Sequence, residues 1–429
     1  MIINNNVRIL AVKEIEKILN GHKYQSFNSG DSFYKSLLSI AIRRLGEIQF
    51  YLNNYIKKPL KKEQNIIKAN LIIGATQILY MRVPIYAAVN TSVDISKINS
   101  PHHVKFINAI LRQLARDYEN NKIKNLDSLI NLPIEIRERW NKIISNDDLK
   151  KIAEQQLIIP PALDIAIKNK ENIKEWCTIL KGEIFGKNNV RIKDNYGKID
   201  DLFGYAKGKW WIQDLAAQLP AKILISSVKK QSKIIDICAA PGGKTAQLVD
   251  HDLDVTAIES DFKRAKIMEN NLKRLNLKTK IIIEDATKYK TKILADAILL
   301  DAPCSSTGTI RKNPDILWRL TAKKNNFFNS LNNLIILQKN LLYSAAKMLK
   351  PGGKLIYSVC SLEKEEGENQ IIDFIKNNSK FIISPIDEKE IDITKEAITK
   401  EGFIKTFPHF NQNHGGMDGF FIARLIKIN

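Results

Sequence analysis

Residues 234–245 read Ile-Ile-Asp-Ile-Cys-Ala-Ala-Pro-Gly-Gly-Lys-Thr. A strand-like apolar run, Ile234 to Ile237, enters a loop of small residues, and a helical pattern follows. Strand, tight glycine loop and helix start are how α/β folds bring backbone N–H groups against a nucleotide-like ligand, at the carboxyl end of a parallel strand. Two familiar versions fail on single residues. A Walker A loop needs glycine five residues before Gly243-Lys244-Thr245, and Cys238 stands there. The dinucleotide fingerprint Gly-x-Gly-x-x-Gly is absent. The loop alone leaves two readings: a Rossmann-like loop for another adenosyl ligand, or a plain glycine-rich turn.

Outward from this loop, residues 231 onward alternate strand and helix. Strands are expected at 234–238, 255–259, 280–284, 296–301 and 354–360, helices at 262–275 and 326–349, and a last strand within 416–426. That order predicts a doubly wound parallel sheet with function in the loops at the carboxyl strand ends. Four features fall there. Glu259 lies about 20 residues past the loop, where an acid can bind ribose hydroxyls. Glu284-Asp285-Ala286 offers a partner for an adenine amino group. Asp301-Ala302-Pro303-Cys304-Ser305 and Ser358-Val359-Cys360-Ser361 end the next two strands. Each has a plain explanation, since strand-end acids cap helices and cysteines are often small buried hydrophobes. Their sharing one rim points to a site.

Two cysteines beside a nucleoside-type cofactor point to covalent catalysis. A pyrimidine is a poor nucleophile at carbon 5, and a thiolate adding to carbon 6 makes it an enamine-like species able to attack a methyl donor. The thiol must ionise, the target base must leave its stack, and Asp301 suits the ring nitrogen and amino edge of cytosine. Spacing does not rank the two cysteines.

Residues 1 to about 140 carry helical periodicity instead. Ser100-Pro101 reads as an N-cap and first helical proline. Val104, Ile107, Leu111 and Leu114 then recur at helix spacing, and Lys105, Arg112 and Arg116 share one stripe. Such a stripe is usually a solvated face and sometimes a phosphate-contacting one. Ala69 to Met81 is nearly all apolar, the pattern of a buried bundle helix. Residues 141–230 are mixed: Pro160-Pro161 breaks the chain, and 188–192 and 209–212 are short strand candidates. The pair Trp210-Trp211 could stack on bases, though such residues more often pack inward.

Bulk properties agree. The 429 residues suggest two or three domains, and 44% hydrophobic with 26% charged residues suggests a soluble globular chain. The net charge of +21 makes a polyanion the first partner to consider. Residues 1–150 hold 23 Lys+Arg against 13 Asp+Glu, a surplus of 10, leaving 11 for the other 279, so the excess is denser at the N-terminal end. Cys177, Cys238, Cys304 and Cys360 form no C-x-x-C pair, which argues against a zinc site and a disulfide framework and suits a reducing cytoplasm. The start lacks a secretory pattern, and no apolar run reaches the ~20 residues of a membrane span.

The motifs at 213–220, 236–245, 301–319, 357–369 and 416–425 resemble the RNA cytosine-5 methyltransferases that use S-adenosylmethionine. Within them the chain is most similar to the Sun/Fmu (RsmB) branch acting on 16S rRNA, and the segment from Leu79-Tyr80-Met81 to Val104–Arg112 resembles that branch's NusB-type RNA-binding domain. The resemblance implies a Rossmann-like class I methyltransferase domain preceded by an all-α NusB-like domain. Its expected division is 1–140, a linking α+β segment 141–230, and 231–429. It implies that Cys360 is the nucleophile, that Cys304 helps resolve the adduct and that Asp301 serves the active site. Cys238, Ala239, Ala240, Pro241, Gly242, Gly243, Lys244, Glu259, Asp285 and Asp301 would hold the cofactor. Lys105, Arg112 and Arg116 would face RNA, with 16S rRNA or a small-subunit precursor as partner. A cytoplasmic monomer with no metal and no membrane is expected. Three departures stand out: Val359 precedes Cys360 where the family usually has Thr, Glu259 replaces the commoner Asp, and Ser306 stands where Gly or Ala is frequent. The same chemistry on tRNA or 23S rRNA, and a non-catalytic RNA-binding assembly factor, are the competing readings. A small-molecule methyltransferase is disfavoured by the basic helical domain.

Overall fold

The structure, a computed structural model, describes all residues except 1, 24–30, 194–195, 323–325 and 429, and the side chains except also those of 2–6 and 326. The chain forms two compact units. Met1–Ile159 with Ile310–Phe328 make one, and Pro160–Thr309 with Asn329–Asn429 make the other.

The first unit is helical. Helix Asn65–Tyr80 is apolar on every side and buried along nearly its whole length, so it forms the centre. Helices Ile2–Leu19, Ser32–Arg43, Ile85–Asn99 and Val104–Glu119 pack their apolar stripes against it. In the last of these Ile107, Leu111 and Leu114 are buried while Lys105, Arg112 and Arg116 are exposed, so the stripe is a surface. The expected cap differs. Pro101–His103 is a 3-10 turn, the α-helix begins at Val104, and the Ser100 side chain makes no capping bond. Ser100 instead closes the preceding helix, its backbone N–H donating to Ser96 O at 2.8 Å. Arg43, buried, donates to the carbonyl of Gln156 and, at 2.9 Å, to that of Arg311, which draws Ile310–Phe328 into this unit.

The second unit holds two sheets. A four-stranded antiparallel sheet has the order β2-β3-β1-β4, with β1 Leu163–Ile167, β2 Glu183–Ile184, β3 Asn189–Ile192 and β4 Trp210–Ile212. The larger sheet uses β5 Lys233–Ile237, β6 Asp254–Glu259, β7 Lys280–Ile283, β8 Ala295–Asp301, β9 Leu349–Val359, β10 Phe381–Ile383, β11 Ile404–Lys405 and β12 Phe421–Lys427. Its order is β10-β12-β9-β8-β5-β6-β7, with β11 paired to β12. Strands β9, β8, β5, β6 and β7 run parallel, and β12 returns antiparallel between β9 and β10. The parallel strands read as nearly continuous apolar runs because helices cover both faces. Chain direction across the sheet reverses between β5 and β8, the switch point at which such folds bind ligands.

The contact division falls at Ile159–Pro160, so helix Asn146–Gln156 closes the helical unit and the small sheet shares a unit with the large one. Gly416–Phe420, expected in the last strand, are loop, and β12 begins at Phe421. A buried ion pair joins the small sheet to that loop. Arg191 Nε and NH2 meet Asp164 Oδ1 and Oδ2 at 2.6 and 2.7 Å, and Arg191 NH1 reaches Gly416 O at 2.6 Å. Trp210 and Trp211 are both buried, with indole N–H groups bonded to Phe203 O and Gln213 Oε1, so neither ring is free to stack on a base.

Candidate active site

The loop after β5 turns where Gly242 takes φ 98°; a Cβ there would meet Met268 Cγ at 2.8 Å, so only glycine closes the turn onto helix Phe262–Arg274. Helix Gly243–Asp250 starts at once, with its first N–H groups directed at the switch point. Glu259, 2% exposed at the end of β6, braces the loop by accepting from Ala240 N at 3.3 Å and Asp261 N at 3.0 Å. Asp285, half-buried past β7, accepts from the Thr287 hydroxyl and backbone N–H at 2.7 and 2.9 Å, which lowers it below the usual carboxylate range.

Asp236 was not singled out from sequence. It is fully buried under the loop; Thr245 Oγ1 donates to its Oδ2 at 2.6 Å, and Oδ1 has no hydrogen-bond partner among the described residues. Burial raises its pKa to about 7. Cys238, at φ 61°, is likewise pushed up by burial first and then by Glu259, Asp301 and Asp236, so it stays a thiol. An inert Cys238 leaves two reactive candidates.

Those two meet. Cys304 Sγ and Cys360 Sγ lie 3.4 Å apart, in the loops that leave β8 and β9, and both are partly exposed. Beside them Lys244 Nζ donates to Asp301 Oδ2 at 2.6 Å, and Ser358 Oγ to Asp301 Oδ1 at 2.8 Å. Burial alone would lower the Lys244 pKa, but Asp301, Cys360 and Asp236 outweigh it and leave it above the usual value. Lys244 therefore orients Asp301, a role that the resemblance did not separate from cofactor binding. The Cys304 thiol is raised, first by its hydrogen bond to Cys360 and then by burial, so it holds its proton.

The departures have structural reasons. Val359 is fully buried in one core layer while Cys360 packs against the other, as alternation along β9 requires. A hydroxyl at 359 would sit on the side opposite the thiol. Ser306 has φ 59°, which explains a preference for glycine there, and its hydroxyl accepts from Cys360 Sγ at 3.6 Å. Gly308 has no room for a side chain, since a Cβ would lie 2.0 Å from Gly419 O. Its N–H donates to Cys360 O at 3.0 Å, and its carbonyl accepts from Gly419 N at 2.8 Å. Gly308 thus knots the Pro-Cys loop to the Cys360 loop and to the loop before β12.

Sequence reading also passed over Glu366. It lies in the acidic run Glu363-Lys364-Glu365-Glu366-Gly367-Glu368, which reads as solvated surface, yet it is 0% exposed. Among the described residues no group of three or more His, Cys, Asp or Glu could hold a metal ion, and no helix is long and apolar enough to cross a membrane.

Strand order, the antiparallel return of β12 and a site at the switch point define a Rossmann-like methyltransferase domain, in a chain that begins with a helical domain. Residues 223–426 match the family described as 16S rRNA methyltransferase RsmB/F, and residues 4–116 match the NusB family. The chain therefore carries an RsmB/F-type methyltransferase domain, with a NusB domain ahead of it. Ribosomal RNA small subunit methyltransferase B of Shewanella oneidensis is 29% identical, covering 98% of this chain and 99% of its own. The protein of the same description from Pasteurella multocida is 28% identical over 90% of this chain and 86% of its own. Among solved structures, PH0851 superimposes with a TM-score of 0.75 at 24% identity, over 98% of this chain and 99% of that one. NSun6 from Pyrococcus horikoshii, solved with SFG, gives 0.56 at 20% identity, over 69% of this chain and 98% of that one. These two likenesses concern the fold.

Proposed function

We propose that this chain transfers a methyl group from S-adenosylmethionine to carbon 5 of a cytosine in 16S rRNA, through a covalent bond between Cys360 and carbon 6. The observation that carries the reading is the 3.4 Å pair of sulfurs beside the Asp301–Lys244 ion pair, on the rim that the β5 loop opens. The residues fit the cofactor. A Cβ at Gly243 would meet the Gln213 side chain in ordinary contact, at 3.4 Å. Asp285 keeps a partly exposed carboxylate for an adenine amino group, and Glu259 ends β6, the strand end from which an acid would meet the ribose diol. When bound, S-adenosylmethionine supplies an electrophilic methyl carried on a sulfonium.

The chain's own residues account for the rest. Asp301, held at both oxygens, presents a fixed acceptor to the amino edge of the flipped cytosine. The Cys360 thiolate bonds to carbon 6, and carbon 5 becomes the nucleophile that takes the methyl. In the adduct Cys360 no longer takes part in the hydrogen bond that is the first influence keeping Cys304 protonated. Cys304 then gives its proton to water and accepts the proton from carbon 5; the carbon 6–sulfur bond breaks, and Cys360 leaves as thiolate. The exposed stripe Lys105, Arg112 and Arg116 supports an RNA-facing surface on the helical unit.

The test is transfer of labelled methyl to unmodified 16S transcript or precursor subunit RNA. Cys360→Ser should abolish transfer, and Cys304→Ser should leave a protein–RNA adduct that survives denaturation. Full activity in Cys360→Ser would sink the mechanism, and no labelling of any RNA would return the chain to a binding or assembly role.

A further inference from the structure

We infer that Glu366 is a positioning residue of the two-thiol site: it locks the Pro303–Thr307 and Ser361–Glu363 loops together and sets which of the two sulfurs is the more reactive. This rests on the two-thiol reading above. A carboxylate with no exposure is costly unless every lone pair direction finds a donor. Glu366 finds four. Ser305 N and Gln338 Nε2 donate to Oε1 at 2.9 and 3.0 Å, and the Ser305 and Ser361 hydroxyls donate to Oε2 at 2.5 Å each. Ser305 follows Cys304 and Ser361 follows Cys360, so one carboxylate grips the chain immediately after both sulfurs.

The grip is reinforced on each side. Gln338 also donates to Pro303 O at 2.8 Å, the Tyr357 hydroxyl donates to Glu366 O at 2.6 Å, and Thr307 Oγ1 accepts from Leu362 N at 3.0 Å. Glu366 makes no hydrogen bond to either sulfur, so it acts through these neighbours. Its charge is felt through an interior of low polarity and adds to the influences that keep Cys304 a thiol. The other groups facing the pair are Lys244 and Asp301 at the ends of helix Gly243–Asp250 and β8, and Tyr357 of β9, whose own proton is held by burial and then by Cys304.

Site-resolved alkylation of the full-length protein by iodoacetamide across pH 6–9, with peptides of Cys304 and Cys360 counted separately, tests this without RNA. Glu366→Gln keeps the size and an acceptor but removes the charge. It should raise the Cys304 share of alkylation several-fold, up to about tenfold for one unit of displaced titration. Glu366→Asp keeps the charge but falls a methylene short of the bridge. It should hold the Cys304 share low, yet cut kcat for methyl transfer at least about tenfold while KM for the cofactor stays put. A glutamate that serves stability alone would lower the unfolding temperature in both variants and leave the Cys304 to Cys360 ratio unmoved, and that result overturns the assignment. Methyl transfer by Cys360→Ser would remove the covalent mechanism without touching that ratio, so the two ideas can fail separately.

Discussion

Asp236 lies in β5, just before the glycine loop, and one of its oxygens is buried with no hydrogen-bond partner among the described residues. Its pKa of about 7 has a consequence for stability. In the unfolded chain the group titrates near 3.8. Between those values the unfolded state is ionised while the folded state holds the proton, so stability falls as pH rises from about 4 to about 7 and is flat above. Asp236→Asn removes that slope. Relative to wild type, the variant should gain roughly 1–3 kcal/mol between pH 5 and pH 8, read from urea unfolding. A difference between the two proteins that is the same at both pH values would refute the buried proton. Sequence places Val359 next to the thiol, but strand alternation sends it into the opposite core layer, so Val359→Thr should leave the pH profile of methyl transfer unchanged.

At the scale of elements, the alternation from 231 onward was legible because each parallel strand holds a nearly continuous apolar run, bounded by loop residues. Every expected strand of that sheet is present within a few residues, although β9 starts at Leu349, five residues before the expected 354. The acidic run at 363–368 was opaque for the converse reason. Charge implies solvent until tertiary contacts supply donors, and at Glu366 they do. Helix Val104–Glu119 carries its prediction on its surface. Because Lys105, Arg112 and Arg116 are exposed, replacing all three by Ala should leave the unfolding temperature near wild type. It should also weaken binding to 16S RNA and reduce the slope of log K against log salt by about 2. An unchanged slope would mark the stripe as mere solvated surface.

For the molecule as a whole, the largest structural surprise is how residues 160–230 are held. Arg191 and Asp164 have no exposure, and Arg191 also serves the carbonyls of His414 and Gly416. Asp164 Oδ2 in turn accepts from Leu215 N at 3.0 Å. This pair therefore fastens the small sheet to the loop that carries Gly419 against Gly308. Breaking it by Arg191→Met should cost about 3–5 kcal/mol, since Asp164 is left buried and unpaired. Adding Asp164→Leu should recover much of the loss in urea unfolding. A single variant as stable as wild type would show that water reaches the pair.

The sequence by itself determined the order of strands and helices, the glycine loop after β5, the basic helical domain and the set of acids and cysteines at the strand ends. These are local properties: periodicity, turn chemistry and residue type act within a few positions of each other. Only the tertiary structure decided which cysteines meet, that Lys244 serves Asp301, that Cys238 stays inert and that Glu366 lies inside. Each of these depends on burial and on partners far along the chain, as with the sequence separation of 56 from Cys304 to Cys360. The charge a group carries, and the neighbour it bonds, are set by the space the fold leaves around it.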